Sequence, residues 1–170
     1  MHYAMIGQMK KQLLQLDQWL DMATAFAKER SFEPDLFLQA RLSVDQFPLV
    51  RQVQTACDTV KLAAARLSGK EAPKHEDNEK TIDELHTRVR AVVEWLGGFS
   101  EADFAQAATK TITQPRWKGK SMTGADYFLE HVVPNFYFHT AHTYALLRHN
   151  GVPVGKRDYL GALTMTEPTP

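Results

Sequence analysis

Apolar side chains recur every three or four residues along four long stretches of the chain, the repeat that lays one stripe down an α-helix. In residues 3–28 the stripe is Ile6, Met9, Leu13, Leu16, Leu20 and Ala27, with Lys10, Lys11, Gln15 and Gln18 outside it. A second stripe, from Leu49 through Val53, Ala56, Cys57, Val60 and Ala64 to Leu67, stops at Gly69. Asp45 is of N-cap type and Pro48 suits a first turn, so this helix is expected to begin near Asp45. Ile82, Leu85, Val89, Val92 and Leu96 form a third, opened by the capping-box pair Thr81 and Glu84 and ended by Gly97 and Gly98. The fourth runs from Thr123 to Gly151. Pro134 inside it removes the hydrogen bond to Glu130 and predicts a kink just before Asn135.

The segments between the stripes carry their own signals. Residues 29–44, with Pro34, read as a connector whose Leu36, Phe37 and Leu42 pack over the bundle end. Residues 70–80 (KEAPKHEDNEK) read as a solvated loop that leaves His75 in water, and His2 and His86 are likewise expected at the surface. Threonines at 109, 111 and 113 alternate with other residues ahead of Pro115 and RWKGKS, the pattern of a small β-hairpin. Such a hairpin is marginal alone, so Ile112 or Trp117 should anchor it. Tyr159 and Leu160 are expected to order the tail VGKRDYLG, and TMTEPTP to fray. The whole chain, 1–170, reads as one domain.

Charge narrows the partners. Lys plus Arg and Asp plus Glu number 20 each, so the electrostatic drive for nucleic-acid or anionic-membrane binding is missing. No apolar run is long enough to cross a bilayer. The start, MHYAMIGQMKKQLLQLDQW, lacks the uninterrupted apolar centre of a signal peptide, and a cytoplasmic protein is expected. Cys57 is the only cysteine, which excludes an internal disulfide and a multi-thiolate metal site. On the second stripe it reads as a small buried hydrophobe.

Candidate chemistry gathers on the fourth helix. Phe128, Val132, Asn135, His139, His142 and Leu146 share one side of it. Asn135 and His139 therefore stand one turn apart on the stripe that faces the core, where two side chains can reach one ion, water or ligand atom. His142 lies toward the edge of the same stripe. Gln46, near the start of the second helix, is either a solvated first-turn residue or one that reaches inward toward them. Phe128, Phe136, Tyr137, Phe138 and Tyr144 go almost all round the helix. A helix apolar on more than one face must bury more than one face, which predicts a homodimer.

The stretch PNFYFHTAHTYALLRHNGVPVGKRDYLG, with VDQFPLVRQVQTACDTVKLAAARLSG before it, resembles an uncharacterised, domain-of-unknown-function branch of the DinB/YfiT-like superfamily. The resemblance covers nearly the whole chain and implies an all-α DinB-like four-helix bundle with the hairpin before its last helix. DinB-like proteins typically hold a divalent metal through one histidine on helix 2 and a His-x-x-x-His pair on helix 4. Matching Leu147, Arg148 and Gly151 to the family's helix ending puts His139 on the second helix-4 ligand and Asn135 on the first. Residues 45–68 contain no histidine, so the helix-2 ligand has no counterpart. Three imidazoles suit Zn or Ni, whereas one imidazole beside an amide is a poorer set. The resemblance thus implies a degenerate metal site at His139 and a non-catalytic or small-molecule-binding dimer. The alternative it implies is a metal-dependent thiol transferase or isomerase using His139. Whether the chain is an enzyme stays open at this point.

Overall fold

The computed structural model describes residues 1–166, so the last four residues of the expected frayed tail lie outside the described part. Three long helices, α1 (His2–Glu29), α2 (Leu49–Ser68) and α3 (Ile82–Gly97), pack with a composite fourth. That fourth helix is built from α4 (Gly124–Asp126), a π-helical stretch (Tyr127–Val132) and α5 (Val133–His149). Going round the bundle, α1 neighbours α3, α3 neighbours α2, α2 neighbours α5, and α5 returns to α1. One core runs through it, with Leu13, Trp19, Val53, Leu85 and Phe136 fully buried. This is the all-α four-helix bundle that the stripes predict.

The hairpin also forms. Strand β1 (Thr111–Thr113) pairs antiparallel with β2 (Ser121–Thr123), and Ile112, buried between exposed threonines, pins it to the bundle. Trp117 adds edge-on contacts to the rings of Tyr127 and His131. Gly124 opens the last helix because a Cβ there would meet the Ala107 carbonyl oxygen at 1.8 Å. Thr123 caps that helix by accepting from the Asp126 N–H at 3.1 Å.

Three local expectations need correction, and the helix around Pro134 has a form the stripes did not show. First, α2 starts at Leu49, not near Asp45, and Pro48 is its N-cap. A residue before proline is pushed out of the helical region, so Phe47 and the residues ahead of it cannot join the helix. Pro134 produces the π-helical stretch just ahead of α5. The wider turn absorbs the missing donor. Second, Phe37 and Leu38 cover the bundle end, while Leu36 and Leu42 are exposed. Third, three histidines expected in water are partly or wholly buried. His2 packs edge-on to Phe128 at 5.0 Å. His86 lies between α3 and α1, with Nδ1 2.5 Å from Asp17. His75 is 2.8 Å from Lys61 Nζ.

His75 belongs to a loop that the charge run suggested was solvated. Instead residues 70–80 fold down onto α2 and α3 through Arg88, whose side chain is 1% exposed. Its guanidinium meets Asp58 at 2.9 Å, Asp77 at 2.7 Å and Glu79 at 2.8 Å. Burial opposes the charge, but hydrogen bonding to Glu79 and the charge of Asp58 hold Arg88 protonated. Cys57 lies fully buried nearby, and burial pushes its thiol up to about 12. Removing one partner of such a cluster strands the others. Arg88→Met is therefore expected to lower the unfolding free energy by about 3–5 kcal/mol. Urea denaturation checks this, and a loss below about 1 kcal/mol would show that water already solvates the carboxylates.

Candidate functional site

The site grows from two polar stripes that face each other. On α2, Gln52, Thr55, Thr59 and Arg66 lie one or two turns apart beside the apolar stripe. On the last helix Tyr127, Asn135 and His139 do the same, helped by the wider π turn. The two stripes meet in three rungs. His139 Nδ1 lies 2.8 Å from Gln52 Oε1, Asn135 Nδ2 donates to Thr59 Oγ1 at 2.7 Å, and Arg66 donates to the Tyr127 hydroxyl at 2.8 Å. Residue numbers rise on one helix as they fall on the other, so the helices run antiparallel here.

The first rung settles the protonation of His139. Gln52 Nε2 donates to the Phe47 carbonyl at 3.1 Å, which turns Oε1 toward the imidazole. A carbonyl oxygen only accepts, so Nδ1 carries the proton and Nε2 keeps its lone pair. The ring is 6% exposed, with Phe47 stacked 6.5 Å away and Phe138 edge-on at 5.2 Å. Burial, with smaller contributions from His142 and Arg51, pulls its pKa down to about 4. At neutral pH it is an uncharged imidazole.

The other candidates do not converge on it. Asn135 turns to Thr59, and His142 Nδ1 donates to the Phe138 carbonyl one turn back at 2.7 Å. Gln46 precedes α2 and its Oε1 is buried without a partner. The side chain that reaches His139 from α2 is Gln52, which the stripe analysis passed over. Its signal was present as the first member of a polar series beside Val53, but periodicity alone does not show which polar neighbour points inward.

This donor set does not fit a DinB-type metal site. Only one of the three positions offers an imidazole, and the Gln52 carbonyl is already engaged with that ring's N–H. Among the described residues no three His, Cys, Asp or Glu side chains cluster as metal ligands. What the seam does border is open space. His139, Asn135, Phe138 and His131 line a surface pocket of about 390 Å³. A second pocket of about 320 Å³ adjoins it and shares Asn135 and His131. It lies between α2, the π-helical stretch and the hairpin connection that carries Gln114 and Arg116.

Among known proteins, the family model described as a domain of unknown function, DUF1993, matches residues 1–160. The crystal structure of a DinB family member from Shewanella denitrificans is 52% identical, over 96% of this chain and 93% of that one, with a TM-score of 0.93. No curated protein matches.

The lowered pKa of His139 has a consequence for stability. As the pH falls below about 6.5 the unfolded chain takes up a proton at this ring, while the folded protein waits until about 4. Stability contributed by the neutral ring is thus complete above 6.5 and falls through that window, by about 3 kcal/mol in all. NMR titration should find the His139 resonance still neutral at pH 5, and His139→Gln should flatten the acid limb of the stability profile. A ring that titrates near 6.5 would mean that it is not buried as described.

Proposed function

We propose, on the premise that this chain belongs to the DUF1993 family of DinB-like bundles, that it is a small-molecule-binding module with a degenerate metal site. One observation carries the reading: the imidazole in the family's ligand position is tied through Nδ1 to an amide of α2, while its helix-4 neighbour Asn135 is tied to Thr59. Both side chains have become rungs between helices. Their remaining capacity, an Nε2 lone pair and an amide oxygen, suits hydrogen bonding to a ligand better than holding a catalytic ion. The two adjoining pockets supply room in the range small ligands occupy.

The partner in this reading is a second copy, in the cytoplasm. Most of the aromatic ring around the last helix is used within the chain, since Phe128 and Phe136 are buried. Phe138 and Phe47 remain about half exposed, and both lie against His139. A shared face there would cover the two rings. No helix among the described residues is long and apolar enough to cross a membrane.

Metal analysis of the purified protein is the test. Zinc and nickel are expected far below one per chain, with no change in His139→Ala. Stoichiometric metal that disappears in His139→Ala would sink the reading and favour a metal-dependent thiol transferase or isomerase. For the dimer, sedimentation at micromolar concentration should give twice the chain mass, and Phe138→Glu should give monomer. A monomeric wild-type protein removes the proposal.

A further inference from the structure

Arg66 and Arg116 both line the 320 Å³ pocket. Neither has a carboxylate partner among the described residues. Arg66 is engaged by the Tyr127 hydroxyl and lies over its ring, and Arg116 donates to His131 Nε2. The one acid on the wall, Asp58, is already paired with Lys61 at 2.7 Å and Arg88 at 2.9 Å. The Arg88 cluster, which shares Asp58 with this wall, shows the usual arrangement, a buried guanidinium surrounded by carboxylates. Here two further guanidinium groups share a pocket whose one carboxylate is paired with other cations.

Of the other polar groups on the wall, the Asn135 oxygen and the Thr55 and Thr59 hydroxyls can accept, while His131 and Gln114 keep donor capacity. A guanidinium has no lone pair to offer, so His131 Nε2 must be the acceptor and the proton of the neutral ring sits on Nδ1. Burial first, then the charges of Arg116 and Arg66, lower the pKa of this ring and keep it neutral. His131 Nδ1 is buried without a partner, and so is Gln114 Nε2. Four groups around one cavity therefore have N–H capacity to spare. Leu62, Pro115 and the Tyr127 ring supply apolar wall.

Resting on the small-molecule reading above, we infer that this pocket binds a small organic carboxylate, its head between Arg66 and Arg116 and its apolar body against Leu62, Pro115 and Tyr127. A planar carboxylate accepts two parallel N–H bonds from a guanidinium, which a neutral amide cannot match. A phosphate dianion fits less well, because it brings twice the charge against Asp58 and has no apolar part for the wall.

The test uses benzoate, benzamide and inorganic phosphate on the full-length protein, by calorimetry and thermal shift. Benzoate should bind saturably at millimolar or lower concentration and raise the melting temperature. Benzamide and phosphate should bind at least tenfold more weakly. Arg116→Gln, on the exposed hairpin connection, should weaken benzoate at least tenfold in protein that circular dichroism shows to be folded, any change in the free melting temperature reporting the lost contact to His131. Arg66→Met should weaken it likewise, and because Arg66 is a rung of the helix seam whereas Arg116 is exposed, Arg116→Gln is the deciding variant. Equal binding of benzamide, stronger binding of phosphate, or full benzoate affinity in Arg116→Gln overturns the assignment. Metal-free protein that ignores benzoate also overturns it, while leaving the degenerate-site reading intact. Stoichiometric metal at His139 alongside Arg116-dependent benzoate binding would uphold this pocket and remove that reading instead.

Discussion

The contact between α2 and the last helix depends on three polar rungs set in an otherwise apolar interface: Gln52 with His139, Thr59 with Asn135, and Arg66 with Tyr127. Apolar contacts between two helices tolerate small slides and rotations, since one leucine substitutes for another in most holes. Hydrogen bonds do not. A slip by one turn would strand both members of every rung, and each buried polar group left without a partner costs about 1–3 kcal/mol. The rungs add little net stability when made, yet they make neighbouring registers expensive. They also decide which part of each side chain is left over, and hence what the surface beside the seam can offer a ligand.

Pro134 shapes the other end of that seam. Without its N–H the helix widens into a π turn over Tyr127–Val132, and the rings of Tyr127 and His131 stack at 5.5 Å. Trp117 from the hairpin closes against both. A helix irregularity thus becomes a docking surface for a hairpin that could not persist alone. The hairpin in turn brings Arg116 to a pocket whose other walls belong to α2 and the last helix. Residues from three parts of the chain meet there, around the irregular turn that precedes Pro134.

The two arginine environments in this bundle show how differently the same charge is handled. Arg88 is sealed in and ion-paired with three carboxylates, two of them from a loop that folds down to reach it. Arg66 and Arg116 border open space and have aromatic and imidazole neighbours in place of acids. The first arrangement is closed to outside ligands and holds a loop in place. The second leaves both guanidinium groups without a carboxylate partner among the described residues, and an anion from solution can supply one.

Much of this architecture is written locally. The four stripes, the Thr81–Glu84 box, the threonine alternation and Gly69 define helices, hairpin and stops, because hydrophobic period and cap chemistry act over a few residues. The same periodicity turned His139 toward the core and put Cys57 there. It could not say that Gln52 rather than Gln46 would meet that imidazole, since Pro48 pushed the start of α2 beyond Gln46 and Asn135 found Thr59 instead. Nor could it bury His75 and His86, whose partners Lys61 and Asp17 lie 14 and 69 residues away in the chain. A sequence determines which face of a helix is apolar. Which polar groups pair across the interface, and which are left unpaired, depends on how far the packed helices are rotated and slid, and only the tertiary structure decides that.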